Sequence, residues 1–440
     1  MTEEPILDLD DGRALAPAVV GAKAASLALA RSRGLPVLAG LAVTARASIP
    51  AMVAGAKALA DGNSGLARAA VTGMALDPDL RSELVAGADR LGSRLVVRSS
   101  APFEGDGAWS GALASYAEMA PDEVALGVSG CWASVFAPDP VERASATGVD
   151  PAAVGVGVLI QPEIAPDYGG VASVAPSGTV TIVGIAGPPV AIVGGWERGH
   201  VVVVDNGAPG PEAAVAALGS QLVSDVADLV RDVAEKIDRH HIEWAQSEGR
   251  LWLLQAQPRP PAANRPPSTP EGSSRSRSVS DDLPDPAELV RQAEEEAERR
   301  QPAGRFGLTR PEPALFETVS ILGVRCDGTA AAGGWGAGRI HFVRDGEDAA
   351  RLRPRQILAA VYPLNNLAPL LWDAAGLVTL GGSPGAHVFE VAAWLGLPAV
   401  CGVDLETAAG VSLDELRASR SFVGAVDGDG GAVTVLEAAL

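Results

Sequence analysis

The stretch TLGGSPGAHVFEVAAWLGLPAVCGV, residues 379–403, sets one histidine between a glycine-rich loop and an apolar run. Gly381, Gly382, Pro384 and Gly385 interrupt regular structure just before His387, and Val388, Val391, Ala392 and Leu395 recur at helical spacing after it. An imidazole so placed stands at the first turn of a helix, beside N–H groups with no partner inside the helix, where an anion is favoured. A neutral imidazole nitrogen is also a competent nucleophile toward phosphorus. The plainer alternative is a helix-start residue that faces the core.

Lysine occurs only as Lys23, Lys57 and Lys236, and arginine supplies the remaining cations. A lysine kept against that bias suits a place where a compact ammonium meets phosphate as a point charge. Lys23 lies in VGAKAASLALARSRGLPV, where a small-residue turn opens an alanine-rich helix that should end at Gly34 and Pro36. Its plainer alternative is a solvated first-turn lysine.

These residues need elements to hold them. Residues 1–257 alternate helical stretches with the β-branched runs RLVVRSS, VGVGVLIQ, TVTIVGIAG and GHVVVVDNG, the pattern of an α+β or α/β domain. From Pro258 to Ser280 the chain reads PRPPAANRPPSTPEGSSRSRSVS, too polar and proline-rich for a core and predicted to be an extended, flexible linker with a reach of about 70 Å. DPAELVRQAEEEAERR follows, with Asp285 as N-cap, Pro286 at the first helical position, and Glu295/Arg299 and Glu296/Arg300 at i,i+4 spacing. It predicts a solvated helix, which places linker and helix at 258–312. From 313 to 440 the runs AGRIHFV, ILAAVY, GLVTL, PAVCGV, SFVGAVDG and GAVTVLE alternate with helices in a compact α/β domain.

Bulk properties narrow the function. A formal charge of −20 disfavours sequence-independent binding to nucleic acid or to an anionic membrane surface. No stretch is uniformly apolar over the length of a membrane helix, and MTEEPILDLDDGR lacks the regions of a signal peptide. Cys131, Cys326 and Cys401 are odd in number and far apart, with no histidine at metal-ligand spacing, so reduced thiols and a cytoplasmic location are expected.

GAKAASLALARSRGLPVLAGLAVT resembles the N-terminal signature of the phosphoenolpyruvate synthase, pyruvate phosphate dikinase and rifampicin phosphotransferase family. RLVVRSSAPFEGDGAWSGALASY resembles its arginine and phosphate-loop segment, and VGVLIQPEIAPDYGGVASV and HIEWAQSEGRLWLLQAQP resemble its later nucleotide-domain motifs. The segment around His387 is similar to its swivelling phosphohistidine domain. The resemblance implies an ATP-grasp domain that phosphorylates a histidine on a mobile domain, which carries the phosphoryl group to a distant acceptor. By the same resemblance, Lys23 and Arg98 contact phosphate; Glu104, Ser110, Gly111 and Gln161 belong to the nucleotide side; Glu243 and Gln255 are metal-side residues; and His387 is phosphorylated. ATP and Mg²⁺ are the implied cofactors, since a polyphosphate needs cations and oxygen ligands. IEWA and LWLLQAQ should form neighbouring strands, each projecting one polar ligand.

The sequence also departs from the family pattern. His241 stands where an aspartate is usual and Gln257 where an arginine is usual, with Arg259 two residues on beyond Pro258. The loop around Ser110 and Gly111 is shortened, and the glycine-pair-to-histidine spacing in GGSPGAH is one residue longer. His200, His240 and His341 fall in ordinary strand or helix contexts and receive no role. No segment resembles a phosphoenolpyruvate-binding barrel or a helical drug-binding domain, so the acceptor is expected to be a small molecule or a separately encoded partner protein. The alternative is a degenerate, non-catalytic nucleotide-binding partner or regulatory subunit, which His241 and Gln257 favour.

Overall fold

The computed structural model describes residues 4–105, 107–205, 208–209, 212–261, 284–299, 313–419 and 421–438. Residues 262–280 of the expected linker, and Arg300, lie outside the described residues. The chain forms two compact units, one of Met1–Val193 with Gly199–Arg259, the other of Gly194–Arg198 with Pro260–Leu440.

The first unit is α+β and holds two antiparallel sheets. One contains β1 (Ile6–Asp8), β2 (Leu41–Val43), β3 (Leu95–Ser100), β4 (Ser115–Met119) and β5 (Gly157–Pro162), in the order β1-β2-β5-β3-β4. The other contains β6 (Tyr168–Val174), β7 (Val180–Ala186), β8 (His200–Asp205), β9 (Ala208–Pro209), β10 (His241–Ser247) and β11 (Arg250–Gln257), in the order β11-β10-β6-β7-β8-β9. Alternation along the strands gives each face of the first sheet its own partner. Leu41, Val43, Leu95, Val97, Val158 and Ile160 face a helical cap in one core. Leu7, Ala42 and Leu159 join a second core with Ile242, Trp244 and Leu253 of the other sheet.

The helix Ala22–Ser32 belongs to that second core, with Ala24, Ala25, Leu27, Ala28 and Ala30 all buried. Its small side chains allow close approach: Ser26 Oγ donates to the Ala256 carbonyl at 2.9 Å. The helix Ser220–Ile237 covers the second sheet with Leu222, Val226, Val230, Val233 and Ile237, an apolar stripe at helical period.

The second unit is α/β. It contains β12 (Val324–Asp327), β13 (Thr329–Ala332), β14 (Trp335–Val343), β15 (Ile357–Ala360), β16 (Gly376–Thr379), β17 (Ala399–Cys401), β18 (Phe422–Asp427) and β19 (Ala432–Glu437). Their order is β12-β19-β18-β14-β15-β16-β17-β13, with β14 to β17 parallel and the flanking pairs antiparallel. Every residue of β15, β16 and β17 is buried, as expected where both faces of a parallel sheet are covered.

One expectation is corrected. The helix Pro286–Arg299, read as solvated, buries Ala287, Val290 and Ala293. Val290 joins a small core with Leu315, Val319, Ala337, Val423 and Ala425 of the second unit. Glu294 clamps Arg339 of β14 through two bonds, of 2.9 and 3.1 Å. The helix has a narrow apolar stripe that its charge run obscures. Asp285 does cap it, accepting from the Ala287 N–H at 3.0 Å.

Candidate active site

Gly21 makes the first part of the site possible. Its φ is +82°, and a Cβ there would lie 1.6 Å from the Ser100 carbonyl oxygen, so only glycine lets the helix start meet the end of β3. Two first-turn N–H groups are then satisfied at the end of β3 and just beyond it: Ala22 N–H donates to the Ala101 carbonyl and Ala24 N–H to Ser100 Oγ, each at 3.0 Å. Lys23 projects from this turn. Its ammonium pairs with the buried carboxylate of Glu104, whose second oxygen accepts the Ala101 N–H at 2.6 Å. Lys23 is therefore a largely buried, paired cation rather than a solvated one.

Arg98 lies on β3, on the face that carries Leu159 and looks toward the second sheet. Its guanidinium donates to the Leu254 carbonyl at 3.1 Å and to Gln255 Oε1 at 3.2 Å, and lies 3.5 Å from Glu243 Oε2. Glu243 and Gln255 are directly paired across β10 and β11. Immediately beyond them the register shifts, with Trp244 opposite Leu253. The extra residue is Leu254, and its carbonyl is one that Arg98 takes. Both strands and their two polar side chains stand where the sequence put them.

Ser110 and Gly111 lie in a loop that a residue overlooked in the sequence holds in place. Arg143, with a fully buried side chain, donates to the carbonyls of Ala108 at 2.7 Å and Ser110 at 3.1 Å, while Asp139 pairs with the other edge of its fork. Its only sequence signal was an Asp139/Arg143 pair at i,i+4. Gln161 is opposite Val96 on the same face of the sheet as Arg98 and spends its amide on the Leu38 carbonyl at 3.1 Å. The structure thus gathers Arg98, Glu243 and Gln255 into one cluster and Lys23 and Glu104 into another, just beyond the end of β3. Gln161 ties down the segment before β2.

His241 and Gln257, the two departures, are cross-strand partners. Arg259, two residues on, donates to the Val174 carbonyl at 3.4 Å.

A cation fits between Glu243 and Gln255, since their oxygens converge on one nitrogen of Arg98. A carboxylate and a carboxamide are hard donors of the kind Mg²⁺ takes alongside phosphate oxygens. Among the described residues no group of three or more His, Cys, Asp or Glu side chains could hold a metal by itself.

In the second unit, β16 runs into the loop 380–386 at its carboxyl end, and His387 opens the helix His387–Trp394. Val388, Phe389, Val391 and Ala392 bury the helix against Leu358, Leu377 and Ala399. Gly382 has φ +90°, and a Cβ there would meet Pro363 Cδ at 2.1 Å. Ser383, fully buried, accepts the Gly385 N–H at 3.1 Å. Ala386 is the N-cap and makes no side-chain cap. His387 Nδ1 lies 3.5 Å from Glu390 Oε2, one helical turn on. The sequence reading overlooked Glu390, although its i,i+3 spacing from His387 was visible.

Residues 17–206 match the family model of the pyruvate phosphate dikinase AMP/ATP-binding domain. That span runs from the turn before Lys23 through β8 and includes Lys23, Arg98, Glu104, Ser110, Gly111 and Gln161. Among curated proteins, chondramide synthase of Chondromyces crocatus is 30% identical over 150 residues, which are 31% of this chain and 4% of that protein. Among solved structures, D-alanyl-alanine synthetase A from Vibrio cholerae aligns over 54% of this chain and 55% of its own, at 11% identity and a TM-score of 0.28. C-terminally truncated Cdc123 from Schizosaccharomyces pombe aligns over 54% of this chain and 83% of its own, at 12% identity and a TM-score of 0.30. By the family match, residues 17–206 of the first unit carry an AMP/ATP-binding type of sequence. Among the described residues no single helix is long and apolar enough to cross a membrane.

Proposed function

We propose that this chain is an ATP-dependent phosphotransferase that phosphorylates its own His387 and passes the phosphoryl group to a small molecule or a partner protein. The observation that carries the reading is the convergence of Arg98, Glu243 and Gln255 inside a unit whose sequence matches an AMP/ATP-binding domain. The first unit is the nucleotide domain in this reading, and the second is a swivelling phosphohistidine domain.

Lys23 and Arg98 supply the positive charge that offsets the triphosphate, with Glu104 and Gln255 as their resting partners. The loop at Ser110 and Gly111, braced by Arg143, lines the phosphates. Mg²⁺, when bound by Glu243 and Gln255, neutralises phosphate charge. Glu390 beside Nδ1 favours the tautomer with its proton on that nitrogen, which leaves the lone pair on Nε2. Nε2 attacks phosphorus, an N–P bond forms, and the bridging P–O bond breaks with its electron pair leaving on the nucleotide oxygen.

ATP labelled separately at the β and γ phosphorus tests this. Acid-labile label recovered on the protein from either position supports the reading, and the position names the bond cleaved. A protein that takes up neither label contradicts it. The second reading, a non-catalytic nucleotide-binding partner, draws on His241 and Gln257, which face each other across β10 and β11 where the family pattern has an aspartate and an arginine.

A further inference from the structure

A cavity of about 340 Å³ opens in the second unit, lined by Arg339, Arg351, Arg353 and Arg417 together with Glu294 and Asp348. It lies away from His387. Arg353 and Gln356 precede β15 at its amino end, whereas His387 follows β16 at its carboxyl end, and the two strands run parallel. Its volume is in the range of small-molecule sites.

The wall carries two more guanidiniums than carboxylates, in a chain whose net charge is −20. Two of the four forks are set by buried or half-buried acids. Glu294 holds Arg339 bidentately, and Asp348, itself buried and bonded to the Arg344 N–H at 3.1 Å, takes Arg417 Nε at 2.7 Å. The remaining pairs are loose. Arg351 pairs with Glu347 and Arg417 also reaches Asp345 at 3.0 Å, and both acids stand outside the wall in solvent. Such exposed pairs are screened by solvent, so an incoming anion displaces them at little cost. Ile340 and Phe342 add an apolar floor that strengthens charge interactions above it.

We infer that this cavity binds a compact dianion, either a phosphate ester or a short dicarboxylate, on the guanidiniums of Arg351 and Arg417, in a wall that also contains Arg353. Planar forks suit both groups. The site stands apart from the nucleotide reading and does not depend on it.

The test is calorimetry on the full-length chain carrying Lys23→Ala, which weakens phosphate binding at the proposed nucleotide site, with inorganic phosphate in one arm and succinate in the other. Saturable one-site binding of either probe, weakened at least tenfold by Arg351→Gln/Arg353→Gln, supports the site. The arm that binds tells phosphate from dicarboxylate. Both substituted side chains are exposed, so the variant should fold, which an unchanged melting temperature would verify. No saturable binding of either probe, or binding that the double variant leaves unchanged, overturns the inference.

Discussion

Glu243 and Gln255 sit directly opposite each other on β10 and β11, and both aim an oxygen at the same nitrogen of Arg98. A cation already occupies the space between them. Displacing that guanidinium toward phosphate frees the two oxygens for a metal, so one side-chain movement links nucleotide and metal binding in the proposed function.

Glu243→Gln keeps the shape and removes the charge. Mg-ATP binding should weaken by about 2–4 kcal/mol, read by calorimetry, with the Mg²⁺ concentration needed for half-maximal binding rising in step. Lys23→Ala should weaken nucleotide binding by a similar amount without altering that Mg²⁺ requirement.

Arg143→Ala tests the brace under the Ser110 loop. The change leaves Asp139 and two carbonyls without their partner, and the first unit should lose about 3 kcal/mol of stability, measured by chemical denaturation. Equal stability of wild type and variant would show that the loop holds itself.

Val290→Ala tests the docked helix. Loss of its packing in the second-unit core should cost roughly 2 kcal/mol. Arg291→Ala, which removes an exposed pair with Glu288, should stay within about 0.5 kcal/mol. Matching effects would return the helix to a solvated role.

Much of this was legible in the sequence, because strong alternation marks buried strands. The six runs read after residue 313 are β14 to β19, and IEWA and LWLLQAQ are paired strands. Strands β12 and β13 were missed: VRCD and TAAA are short, partly exposed edges whose pairing comes from partners distant in sequence. Arg143 was missed because its two carbonyl partners lie more than thirty residues away. The Pro286–Arg299 helix was misjudged because its buried Ala287, Val290 and Ala293 are spaced among charged residues that read as a charge run.

Burial should make the thiols report on pH. It pushes Cys401 from the usual thiol value of 9.0 up to about 11, and Cys131 further in the same direction. The unfolded chain loses these protons first, so stability is fully present below pH 9 and falls as pH rises toward 11. Denaturation midpoints at pH 8 and pH 10.5 should differ, and Cys401→Ala should reduce that difference. A thiol reagent at pH 8 should modify Cys326, the one partly exposed cysteine, before either buried one.

The most direct measurement is intact mass at neutral pH after incubation with ATP and Mg²⁺. One phosphoryl adduct, lost in acid and stable in base, is expected on the wild type and none on His387→Ala. An adduct carried equally by the His387→Ala protein, or no adduct on the wild type, would contradict it.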